Sequence, residues 1–164
     1  IGVAVQRILA DVEIERRQFR GHERTERGEN ALVVEVAIGL ADHLLEFGDH
    51  RVYYSAFNSS FVSPEVAAAY DIVRGRDRGL VNIAVMPAGT IGGRAAVVKG
   101  QVANIFAQSQ ELKFLEVREG DAVYYLAPFN FENEDSLTFN ITVKPNPDMP
   151  SYTLSFQRTF YRDR

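Results

Sequence analysis

Three arginines fall on alternate positions of one short stretch, Arg74-Gly75-Arg76-Asp77-Arg78. A planar guanidinium grips a carboxylate or phosphate through two parallel N–H bonds, so a loop carrying several of them is a candidate anion clamp. Arg118 lies in a second charged stretch, Arg118-Glu119-Gly120-Asp121, and joins the same candidate set. The plainer account is a group of inter-loop ion pairs with Asp77, Glu119 and Asp121 as partners.

The tyrosines form a second constellation. Two adjacent pairs occur, Tyr53-Tyr54 and Tyr124-Tyr125. Successive side chains of a strand point to opposite faces, so one member of each pair can face solvent. Tyr54 and Tyr125 are therefore candidate binding residues on an aromatic platform suited to a protein, peptide or glycan. A core tyrosine with a cross-strand partner is the alternative.

Other chemistries find less support. The histidines are His22, His43 and His50; the spacing of His43, Glu46, Asp49 and His50 matches no established metal motif, and surface histidines are expected. Ser59 and Ser60 lack a nucleophile elbow. The carboxylates Glu116, Glu119, Asp121 and Glu132, Glu134, Asp135 fall where turns are expected, and turns favour such residues. Pro87–Gly93 carries glycines but no Gly-Lys-Ser/Thr, so it is no phosphate loop. There is no cysteine, which removes disulfides and thiolate chemistry. No catalytic residue, metal ligand or cofactor is assigned.

Net charge is -4 with a pI of about 5.4, which disfavours nucleic acid as a partner. No apolar run approaches the roughly 20 residues of a membrane span.

The elements that must carry these residues begin near Phe47. Before it Phe19 is the only aromatic and lysine is absent; the other 17 of the 18 aromatics follow from Phe47 onward. Residues 1–45 are expected to be a charged extension, dense in Glu and Arg from Glu13 to Asn30. Val5, Ile8, Leu9 and Val12 have helical spacing, whereas Ala31–Ala41 fits strand or helix. Arginines before that segment and Gly39-Leu40-Ala41 at its end also fit a degraded export signal. A mis-assigned start is a further alternative, since the chain begins with Ile.

Residues 46–164 read as one β domain. Strands are expected at Arg51–Phe61, Leu80–Met86, Ala95–Ala107, Gln110–Arg118, Ala122–Phe131, Leu137–Val143 and Tyr152–Tyr161. Leu137, Phe139, Ile141 and Val143 alternate with Ser136, Thr138, Asn140 and Thr142, the pattern of a half-buried strand. Ser63 and Pro64 supply an N-cap and a first helical position for one short helix. About seven strands joined by tight turns predict an all-β, antiparallel, immunoglobulin-like sandwich.

Four stretches then carry a resemblance: Phe47–Asn58, Arg78–Ile83, Arg118–Tyr125 and Tyr152–Tyr161. In order and spacing they resemble an exported proteobacterial family catalogued as domain of unknown function 4426, over about Phe47–Asp163. The resemblance implies a single β-sandwich and a periplasmic location, and it implies no catalytic residues. No conventional signal peptide precedes Phe47. The reading that follows is a non-enzymatic interaction or binding module for a protein, peptide or envelope component. The alternative is a small-molecule or metal-assisted enzyme built on the arginine loop and nearby carboxylates.

Overall fold

The computed structural model describes residues 43–87, 93–119 and 122–164. Readings that fall before residue 43, the Ala31–Ala41 segment and His22 among them, lie outside the described residues.

Nine strands are present among the described residues: β1 (His43–Phe47), β2 (His50–Asn58), β3 (Arg78–Pro87), β4 (Val97–Ala103), β5 (Ser109–Leu112), β6 (Leu115–Glu119), β7 (Ala122–Asn130), β8 (Asp135–Lys144) and β9 (Tyr152–Phe160). They form two antiparallel sheets, β1-β2-β3-β7-β6 and β5-β4-β8-β9. The all-β sandwich with one short helix is the expected fold. It exceeds the expected seven strands for two reasons. A hairpin through Gly48, at φ 55, pairs β1 with β2. The run Gln110–Arg118 is two strands, because the chain leaves one sheet after Leu112 and enters the other at Leu115.

The main core lies between the sheets. Val52, Tyr54 and Ala56 of β2, Val81, Ile83 and Val85 of β3, and Val123, Tyr125 and Phe129 of β7 face Leu137, Phe139, Ile141 and Val143 of β8 and Leu154 and Phe160 of β9. Phe139 stacks on Phe156 at 4.7 Å and meets Phe129 edge-on at 5.1 Å, both favourable ring geometries. Gly79 permits this packing, since a Cβ there would come within 2.2 Å of the Phe129 ring.

The five-stranded sheet is buried on its other face too. The connection from β2 to β3 folds back over it as a 3-10 turn (Ser59–Phe61), a short helix α1 (Pro64–Ala69) and an irregular return. Ser63 caps α1, its hydroxyl accepting the Val66 amide at 3.3 Å. Val62, Val66 and Ala67 pack on Phe57 and Leu80, while Tyr70 and Ile72 reach the patch of Tyr53, Ala84, Met86, Tyr124 and Leu126. This cover explains why β2 and β3 are buried almost without interruption whereas β8 alternates.

Candidate functional site at one end of the sandwich

The β2–β3 connection carries the arginine loop to one end of the sandwich. Arg74 is exposed and donates to the Ser60 carbonyl at 3.2 Å. Ser59 pins the loop: its hydroxyl accepts the Gly75 amide at 3.0 Å and donates to the Gly75 carbonyl at 3.2 Å. Arg78 opens β3 and is exposed opposite Asn130 of β7. Arg118 pairs in register with Val123, at the other end of β7. Seven residues of extended chain separate Val123 from Asn130, about 24 Å at the usual rise. Arg74, Arg76 and Arg78 therefore share one end of the sandwich, and the strands hold Arg118 apart from them.

Arg118 instead serves the opposite end. It is ion-paired with Glu116, whose second carboxylate oxygen accepts the Tyr125 hydroxyl at 3.0 Å. The same hydroxyl accepts the Ala96 amide at 2.7 Å. Bonds from Arg118 and Tyr125 hold the Glu116 carboxyl below the usual carboxylate range. Burial is the main reason that Tyr125 titrates above an ordinary tyrosine, with Glu116 adding to the effect and the Ala96 amide opposing it. Burial raises Tyr54 likewise.

Adjacent tyrosines point to opposite faces, as the strand period requires, but both faces are covered. Tyr54 and Tyr125 lie in the inter-sheet core, Tyr53 and Tyr124 under the β2–β3 connection. These four rings form no exposed platform. His50 also departs from expectation: it is 5% exposed, because even positions of β2 face the core, and neither ring nitrogen has a hydrogen-bond partner among the described residues. Among the described residues no three His, Cys, Asp or Glu side chains are grouped to hold a metal.

Of the four arginines singled out from the sequence, Arg76 lines a concavity. After β9 the chain continues as Tyr161-Arg162-Asp163-Arg164, and this segment is tied down along its length. Asn58 Nδ2 donates to the Tyr161 carbonyl at 3.0 Å and to Asp163 Oδ1 at 2.9 Å. Arg76 Nε donates to the Asp163 carbonyl at 2.7 Å, and the Asp163 amide returns a bond to the Arg76 carbonyl at 3.3 Å. The Arg162 amide donates to Asn133 Oδ1 at 3.1 Å while its guanidinium pairs with Glu132.

Two adjoining grooves flank the segment. One, of about 500 Å³, is lined by Arg76, Asn133, Glu134 and residues 161–164. The other, of about 360 Å³, is lined by Asn58, Phe61 and residues 158–164. Phe61 and Tyr161 expose 59% and 58% of their surface. Large aromatics and arginines together are the composition of protein-binding surfaces. Tyr161 belongs to the tyrosine set but to neither adjacent pair, and Phe61 and Arg162 escape the motif-based reading. The signal for Tyr161 and Arg162 is a charged tail directly after the last apolar strand; Phe61 has no such signal.

With this geometry in place, the chain can be set beside known proteins. The model of the family described as Domain of unknown function (DUF4426) matches residues 44–163. A DUF4426 family protein from Pseudomonas aeruginosa PAO1 is 33% identical, with a TM-score of 0.67 over 76% of this chain and 98% of that one. A copper-bound variant of FetP from uropathogenic Escherichia coli strain F11 is 9% identical, with a TM-score of 0.55 over 74% of this chain and 96% of that one. FetP as isolated, recombinantly expressed in the periplasm of E. coli, is 10% identical, with a TM-score of 0.52 over 76% of this chain and 96% of that one. The two FetP structures share the fold with this chain. No curated protein matches it. The family match and the Pseudomonas relative together place this chain in the DUF4426 family.

Proposed function

We propose that this chain is a non-enzymatic periplasmic binding module that engages a protein, peptide or other envelope component at the Arg76–Tyr161 end of the sandwich. The observation that carries the reading is the pair of grooves beside Tyr161–Arg164, where two exposed aromatics sit among arginines. Tyr161 and Phe61 offer apolar area that stays in water in the free protein. Arg76 and Arg162 add directional donors for carboxylates or carbonyls on a partner. The network from Asn58, Arg76 and Asn133 holds this surface in one shape, which lowers the ordering cost of association. The periplasmic location rests on the family.

Of the six residues singled out from sequence, Arg76 belongs to this surface directly, and Arg74 and Arg78 flank it. Tyr54 and Tyr125 support it only as core. Affinity capture of envelope components on the immobilised protein tests the reading. Tyr161→Ala and Arg76→Glu should each reduce retention of a given component at least fivefold, while Lys99→Glu on β4 leaves it unchanged. Equal retention by all variants would remove the support for this surface.

A further inference from the structure

Among the described residues four strands lie at sheet edges, and their protection is unequal. An edge strand exposes a row of unpaired N–H and C=O groups, and proteins blunt it by shortness, charge, proline or a bulge. β5 has four residues, including Glu111, and is followed at once by Lys113. β6 has five residues, with Glu116 and Arg118 among them. β1 also has five and carries Glu46. β9 differs from all three: its nine residues, Tyr-Thr-Leu-Ser-Phe-Gln-Arg-Thr-Phe, contain no proline, glycine, lysine or acid. Its pairing with β8 is unbroken from Tyr152 to Phe160, so there is no bulge. Its one charge, Arg158, points inward, a placement that can itself blunt an edge, but here its guanidinium is held within the sandwich by the Ala56 carbonyl and lies 5.7 Å from the Phe160 ring centre, away from the edge backbone groups.

The sequence of β9 is also complementary to itself. A twofold axis through Phe156 places Thr153 opposite Thr159 of a second copy and Ser155 opposite Gln157 on the outer face. On the inner face it sets Leu154 opposite Arg158, Tyr152 opposite Phe160, and Phe156 opposite its own counterpart. Thr–Thr, Ser–Gln and aromatic pairs are favourable cross-strand neighbours, and no like charges meet. Thr153, Ser155, Gln157 and Thr159 are all exposed, and Phe156 is half-buried at the edge.

We propose that β9 is a self-pairing edge, through which two copies of this chain associate in solution by antiparallel β9–β9 addition. The two four-stranded sheets then run on as one continuous sheet across the dyad. Such an isologous contact closes on itself, consuming both β9 edges and leaving the short, charged β5 strands at the ends of the joined sheet. The edge hydrogen bonds supply affinity, and the register about Phe156 supplies specificity.

Sedimentation equilibrium of the purified full chain tests this, using paired substitutions on the exposed face. Ser155→Lys with Gln157→Lys sets lysines directly opposite lysines across the dyad. Ser155→Lys with Gln157→Glu sets each lysine opposite a glutamate instead. Both variants lose the same Gln157–Ser136 side-chain bond, so matched thermal unfolding controls for the fold. The wild type is expected to be dimeric at roughly 100 μM; the Lys/Lys variant should dissociate at least tenfold more readily, and the Lys/Glu variant should recover the dimer. A monomeric wild type at that concentration would overturn the proposal. So would a Lys/Lys variant that stays as dimeric as the wild type, or a Lys/Glu variant no better than Lys/Lys.

Discussion

Glu116 and Tyr125 face each other across the β6–β7 register and are joined by a 3.0 Å bond from the tyrosine hydroxyl to the carboxylate. Because that hydroxyl also accepts the Ala96 amide at 2.7 Å, one side chain ties the edge strand β6 to the chain leading into β4. The bond thus links the two sheets by a polar contact at the rim of the apolar core. Tyr125→Phe keeps the ring and removes both bonds, which should cost about 1–2 kcal/mol in urea unfolding. A change under about 0.3 kcal/mol would mean that water replaces the hydroxyl without loss, well below the usual worth of such a bond.

The pH dependence follows from the same group. Glu116 is held below the ordinary carboxylate range in the folded chain, by Arg118 first and Tyr125 second. Its contribution is therefore present above the pKa of an unfolded glutamate and fades as pH falls through the lower folded value. Tyr125 and Tyr54 are raised by burial, so their contribution is complete below the ordinary tyrosine range and is lost as pH climbs through their folded values. Glu116→Gln should flatten the acid limb of a stability profile, and Tyr54→Phe the alkaline limb. Unchanged limbs in both variants would contradict these assignments.

Gly79 gives a packing prediction. A methyl group at this position would meet the Phe129 ring at 2.2 Å, and that ring is held in place by Phe139 and Phe160. Gly79→Ala should destabilise by about 2–3 kcal/mol, the upper part of the overpacking range, because the ring has no free direction in which to move. Thermal unfolding within a degree of the wild type would show that the core yields more easily than this.

Ser55 and Asn82 are register partners on the covered face of the five-stranded sheet, and both are buried. Ser55 Oγ and Asn82 Oδ1 have no hydrogen-bond partner among the described residues. A buried hydroxyl without a partner loses its hydration for no return, so Ser55→Ala should be neutral or stabilise by up to about 1 kcal/mol. Destabilisation by as much would point to a bound water or ligand beneath the β2–β3 connection.

The parts of this fold that were legible in the sequence are those governed by local pattern. Leu137–Val143 alternates because one face of its sheet meets water, and the inward residues are the expected ones. Ser63 and Pro64 start α1 for reasons contained in three or four residues. The crossing at Lys113-Phe114 was not legible, because no glycine or proline marks it and the chain simply changes sheets. The fate of the tyrosine pairs was hidden for a different reason. Period two correctly sends Tyr53 and Tyr54 to opposite faces, but the cover over the outer face comes from Val62 to Ile72, and nothing near Tyr53 announces it. The groove was hidden in the same way, since Asn58, Arg76, Asn133 and Tyr161 meet only where strand ends of both sheets come together.

The Arg76–Tyr161 end is the proposed contact with a partner in the cell envelope. Site-specific photo-cross-linking in living cells measures this most directly, with the photoreactive residue at Tyr161 and, as the control, at Gln101 on the outer face of β4. A discrete adduct is expected from position 161 that Arg76→Glu abolishes, and none from position 101. Adducts of equal yield from both positions, or none from 161 at any exposure, would contradict it.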